Sequence, residues 1–130
     1  MKQAIVGAAI LMMTFGLARS EAIIDEGLSA LKQGLIDRAV NIWLNGSLLS
    51  RAGKTNELTQ QYMNINQLCG KLNDWHLLSS ESLGPKVKIN QYVLHFDRCP
   101  IFGKFTVYSQ ENLDVITQLK FNTKLNNIQD

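Results

Sequence analysis

The spacing of apolar residues changes once along this chain, at Gly70, and that change restricts the fold more than any other feature. Before it, apolar positions recur at helical intervals. After it, β-branched and aromatic residues gather into runs separated by turn signals. A helical half followed by short-looped strands is the pattern of an α+β domain, in which an antiparallel sheet buries one face under helices.

In the helical half, Ile24, Leu28 and Leu31 define a first helix over 23–33, and Gly34 ends it. Asp37 is positioned to cap a second, short helix with Val40, Trp43 and Leu44 on one face, closed by Asn45-Gly46. Residues 47–54 read as a connector. A third helix, capped by Thr55 or Asn56, carries Leu58, Tyr62, Ile65, Leu68 and Cys69 at helical spacing up to Gly70. The strand half then reads as 75–82, 87–96, 101–109 and 113–121, with turns at Gly84-Pro85, Arg98-Cys99-Pro100 and Gln110-Glu111-Asn112. In the third run Ile101, Gly103, Phe105 and Val107 alternate with Phe102, Lys104, Thr106 and Tyr108, so one face is the greasier. The helices are expected to cover that face of a twisted, curved sheet. Leu125 and Ile128 allow a last helical turn in the polar tail.

The first 20 residues, MKQAIVGAAILMMTFGLARS, read as a cleaved export signal. Lys2 gives a basic start, an apolar run follows, and small residues precede the cleavage point, placed after Ser20 or near Ala22. The apolar run is shorter than the roughly 20 residues a membrane span needs. The expectation is a periplasmic or secreted protein with a single domain over 21–130 and no stable membrane insertion after cleavage.

Charge narrows the partners. The chain has 13 basic and 11 acidic residues, and loss of Lys2 and Arg19 leaves 11 of each. A neutral domain with scattered Lys and Arg lacks the basic patch that nucleic acid or an anionic membrane surface requires. A small apolar ligand or a protein partner is expected instead, with a homodimer as a further expectation. No cofactor motif is present.

Cys69 and Cys99 are an even pair in an exported chain, which points to a disulfide. The hairpin gives it a route: the chain leaves the helix at Cys69, runs out along one strand and returns along the next to Cys99. The same path brings His76 and His95 near one another, although the spacings around these residues match no common zinc finger and His95 is free to face either side. No metal site is assigned; the two histidines are outside candidates. Gly53-Lys54-Thr55 resembles the end of a phosphate-binding loop, but Leu48 stands where that loop needs glycine. Asn45-Gly46-Ser47 is a formal glycosylation acceptor explained equally by a helix-ending turn. Six aromatic residues, Trp43, Tyr62, Trp75, Tyr92, Phe105 and Tyr108, are candidates to line a ligand pocket, with core packing as the alternative use.

The helical first half, Asn90-Gln91-Tyr92-Val93-Leu94 before a Cys-Pro turn, Phe105-Thr106-Val107-Tyr108 and the ending Leu119-Lys120-Phe121-Asn122-Thr123-Lys124-Leu125 together resemble small exported proteins of the nuclear transport factor 2-like superfamily. The likeness covers about 23–128. It implies a cone-shaped α+β fold in which helices cover a strongly curved sheet, used by isomerases, dehydratases, ligand carriers and interaction modules alike. Enzymes of that kind place Asp, Tyr or His inside the cone, whereas here Asp97 and Asp114 fall at turns and Asp74 opens a strand. The reading is therefore a non-catalytic binding or interaction domain. An isomerase- or dehydratase-type enzyme with a buried acid or base, and a structural accessory protein of the envelope, are the alternatives.

Overall fold

The structure, a computed structural model, describes residues 21–51, 53–111 and 113–129. The expected leader lies outside them. The architecture is α+β: α1 (21–32), α2 (Ile36–Leu44), α3 (Leu48–Arg51) and α4 (Lys54–Cys69) precede β1 (Leu72–Leu83), β2 (Val87–Phe96), β3 (Pro100–Gln110) and β4 (Leu113–Asn122), and α5 (Asn126–Gln129) follows. The four strands form one open antiparallel sheet in the order β1-β2-β3-β4. Each strand pairs with its sequence neighbour because the connections are too short to do anything else.

The helical half follows the apolar spacing, with corrections at its boundaries. α1 ends where Gly34 takes a positive φ of 82° and Leu35 N–H donates to Ala30 O at 2.9 Å, closing the last turn. Asp37 is not the cap of α2; Leu35 holds that position without a side-chain bond, and Asp37 lies in the first turn, where its charge suits the helix dipole. α4 starts at Lys54, after Gly53 rather than at a Thr55 or Asn56 cap. The connector contains α3, whose start is fixed by Ser47: its Oγ accepts from Leu49 N–H at 3.1 Å and donates to Ile116 O at 2.6 Å. Leu68 is 75% exposed. At 100° per residue it stands about 90° round α4 from the stripe centred on Leu58, Tyr62, Ile65 and Cys69.

The core lies between the helices and one sheet face. From β3 it takes Ile101, Gly103, Phe105 and Val107, as the alternation requires, and from β2 it takes Asn90, Tyr92, Leu94 and Phe96. Helices contribute Ile24, Leu28, Leu31, Val40, Trp43, Leu44 and Tyr62. Gly27 is buried because α1 rests directly on the Trp43 indole, leaving no room for a β-carbon. Trp43 Nε1–H donates to Ile24 O at 3.3 Å, which satisfies its one polar atom inside the core. In the tail, Ile128 on α5 is fully buried.

One end of this sheet is fastened to the helical half. Cys69 and Cys99 are joined by a disulfide with a Cα–Cα distance of 5.1 Å, bridging the end of α4 and the β2–β3 turn. Arg98 in the same turn adds the cation that α4 lacks in its last turn. Its backbone N–H donates to Cys69 O at 2.8 Å, and its guanidinium donates to Leu68 O at 3.2 Å and Gln67 O at 3.4 Å. Asp97 completes the join by accepting from Lys71 N–H at 2.9 Å and from Asn73 Nδ2 at 3.0 Å.

Candidate functional site

Four of the six candidate aromatics meet in the core. The Trp43 ring centroid is 5.7 Å from Tyr62 and 5.2 Å from Phe105, and Tyr92 stands edge-on to Phe105 at 5.7 Å. Phe121, a residue the sequence reading did not single out, closes the set by packing edge-on to Tyr62 at 4.7 Å and to Phe105 at 5.5 Å. Edge-to-face pairs of this kind each contribute about 0.5–1.5 kcal/mol beyond area burial. Burial raises both phenols well above their ordinary range; for Tyr92 the nearby Asp25 and Glu21 charges push the same way. Tyr62 Oη and Asn90 Nδ2 are buried with no hydrogen-bond partner among the described residues, while Asn90 Oδ1 accepts from Ser80 Oγ at 2.6 Å.

The other two aromatics lie apart from this cluster. Trp75, on β1, packs at the edge of the core, and its Nε1–H donates to Asp25 Oδ1 at 2.9 Å, tying the edge strand to α1. Tyr108 lines an open cleft of about 460 Å³ with Lys86, Gln110, Glu111 and Leu113, at the sheet end opposite the disulfide. Another cleft, of about 550 Å³, runs along the outer side of α2 past Arg38, Asn41 and Asn45 to Ser50 and Thr55.

Around these clefts and along β1, large apolar side chains reach solvent. β1 is an edge strand, and Leu77, Leu78 and Leu83 on its distal half are exposed, as is Leu113 at the start of β4. The burial of β1 is confined to its first residues, Leu72 and in part Trp75. Beyond them the strand projects past the core with its outer backbone edge open among the described residues.

The histidines fall on one face. Asp74 pairs directly with His95 across β1 and β2, and His76 is two residues along from Asp74, so all three side chains share the sheet face away from the helices. His95 Nδ1 is 2.5 Å from Asp74 Oδ1, His76 Nε2 is 3.8 Å from the same oxygen, and the imidazole centroids are 5.3 Å apart. Asp74 is the member that the sequence reading passed over as a strand-opening residue. Its i, i+2 spacing to His76 was the available signal. Cys69 and Cys99, tied to one another, are not part of this donor set.

Compared with known proteins, the chain matches no family model, no curated protein and no solved structure. Among the described residues no helix is long and apolar enough to cross a membrane.

Proposed function

We propose that this chain is an exported, non-catalytic interaction domain that engages a partner protein along β1 and the adjoining end of the sheet. Export is supported by the leader-like first 20 residues together with the disulfide, a bond that persists in oxidising compartments. The succession of helices and a four-stranded antiparallel meander agrees in element order with a nuclear transport factor 2-like construction.

The observation that carries the partner reading is the contrast between core and edge. Trp43, Tyr62, Tyr92 and Phe105 are engaged by one another, while Leu77, Leu78 and Leu83 line an open strand edge. An exposed edge strand offers a row of backbone donors and acceptors, and its flanking side chains supply selectivity when an extended segment adds to the sheet. A small apolar ligand would need the aromatic cluster to open. A second copy of the chain would use the same edge.

Site-specific photocrosslinking in the producing cells tests this. A crosslinker at Leu78 or Leu83 is expected to give a discrete adduct that is absent from Gln60 on the exposed side of α4 and is lost when the other leucine is changed to lysine. An adduct of twice the protein's mass identifies a homodimer. No adduct at β1, together with a retained small molecule in native mass spectrometry, would overturn the partner reading in favour of a carrier.

A further inference from the structure

We propose that Asp74, His76 and His95 form a binding site for a divalent transition-metal ion of the zinc class on the outer face of the β1–β2 hairpin. This site is independent of the partner reading and lies on different residues.

The donor set sets the chemistry. Two imidazole nitrogens, borderline ligands, beside one carboxylate oxygen suit zinc and its neighbours better than calcium or magnesium, which prefer oxygen alone. The three donor atoms lie within 4.8 Å of one another. Zinc–nitrogen and zinc–oxygen bonds of about 2.0–2.2 Å at a tetrahedral angle hold neighbouring donors roughly 3.3 Å apart. The separations of 2.5 Å and 3.8 Å from Asp74 Oδ1 straddle that value and the widest spacing in the set is bounded at 4.8 Å, so an ion inserted between the three asks for side-chain adjustments of up to about 1.5 Å.

The scaffold is suited to hold them. All three residues stand on paired strands, next to the end of the sheet that the disulfide fastens to α4. They remain open to solvent, with side-chain exposures of 60% for Asp74, 64% for His76 and 46% for His95, so an ion can enter without rearrangement of the fold. Three protein ligands leave a coordination position for water or for a donor from another molecule.

The convergence depends on a β-bulge. The pairs Leu83 with Val87 and Ser79 with Gln91 are offset by one residue from Leu77 with Tyr92 and Asp74 with His95, and the shift falls at Leu78. Without it His95 would stand opposite Trp75, on the other face from His76. A one-residue slip exchanges the faces of a strand, so this irregularity is what gathers the set.

The test uses the untagged protein as purified from the producing cells, stripped with chelator and titrated with zinc chloride alone by calorimetry. One ion per chain is expected to bind. Because loss of an outer-shell partner alone weakens metal sites about 10–100-fold, His76→Ala and His95→Ala are each expected to weaken binding at least tenfold. Imidazole signals of both histidines should shift together in NMR spectra of the unmodified protein, a readout that does not depend on any variant folding. Absence of saturable zinc binding, binding that survives either substitution, or a shift confined to one imidazole would each overturn the proposal.

Discussion

Replacing Gly27 by alanine separates local helix preference from tertiary fit. In an exposed helix interior the change stabilises by about 1 kcal/mol, because glycine is the poorer helix former. Here the added β-carbon would overlap Nε1 and Cε2 of Trp43 and lie 2.8 Å from Cδ1, and Trp43 is fully buried. Forcing one carbon into a packed core costs about 1–3 kcal/mol. Displacing the indole also breaks the bond from its Nε1–H to Ile24 O and strands a buried donor, at about 1–3 kcal/mol more. The two costs outweigh the propensity gain, leaving a net loss of about 3 kcal/mol at the midpoints of these ranges. For a domain of about 110 residues this corresponds to a fall in Tm of roughly 10 °C. Thermal and urea unfolding measure it directly. Trp43→Phe removes the part of the ring that meets Gly27, so the penalty of Gly27→Ala should shrink in that background, giving a coupling energy in a double-mutant cycle. Equal or greater stability of Gly27→Ala in the unmodified background would refute the close approach of α1 to the indole.

Two further outcomes are expected. Changing both Cys69 and Cys99 to alanine opens a loop of 30 residues and should lower stability by about 3.5 kcal/mol on the chain-entropy account, read as a lower urea midpoint relative to the oxidised protein. The Asp97 carboxylate is held below its ordinary range first by the Lys71 backbone N–H, then by Asn73, with smaller help from the Arg98 and Lys71 charges. Its contribution is therefore complete above the unfolded carboxylate pKa of about 3.9 and is lost as pH falls through the depressed folded value. Asp97→Asn should narrow the stability gap to the parent as the medium is acidified; a gap independent of pH would refute the assignment.

How much of this was readable from residues alone differs by element. β2 was bounded correctly because its β-branched and aromatic run is flanked by unambiguous turn signals. The disulfide followed from the meander, since a hairpin returns the chain to its starting end and the pairing needs no finer register. The faces of the histidines did depend on register, and a single extra residue at Leu78 inverts them; no local signal in Leu77-Leu78-Ser79-Ser80 announces that bulge. α4 was recognised from its apolar stripe, but Leu68 was placed on it by residue type when its angular position puts it on the flank. The bond from Trp75 to Asp25 joins residues 50 apart and was invisible for that reason. Spacing identified the aromatics without showing which would pack on one another; the sheet order brings Phe105 and Phe121 under Trp43 and Tyr62, and leaves Tyr108 at the far end.

A sheet in which every strand bonds only to its neighbour in sequence can be assembled hairpin by hairpin as the polypeptide is released from its N-terminal end. No strand has to wait for a distant partner, so the loop-closure entropy at each addition is small. The helical layer precedes the sheet in the chain and gains its full apolar counterpart only when Phe105 and Phe121 are in place, which leaves it the segment most dependent on protection until the last hairpin forms.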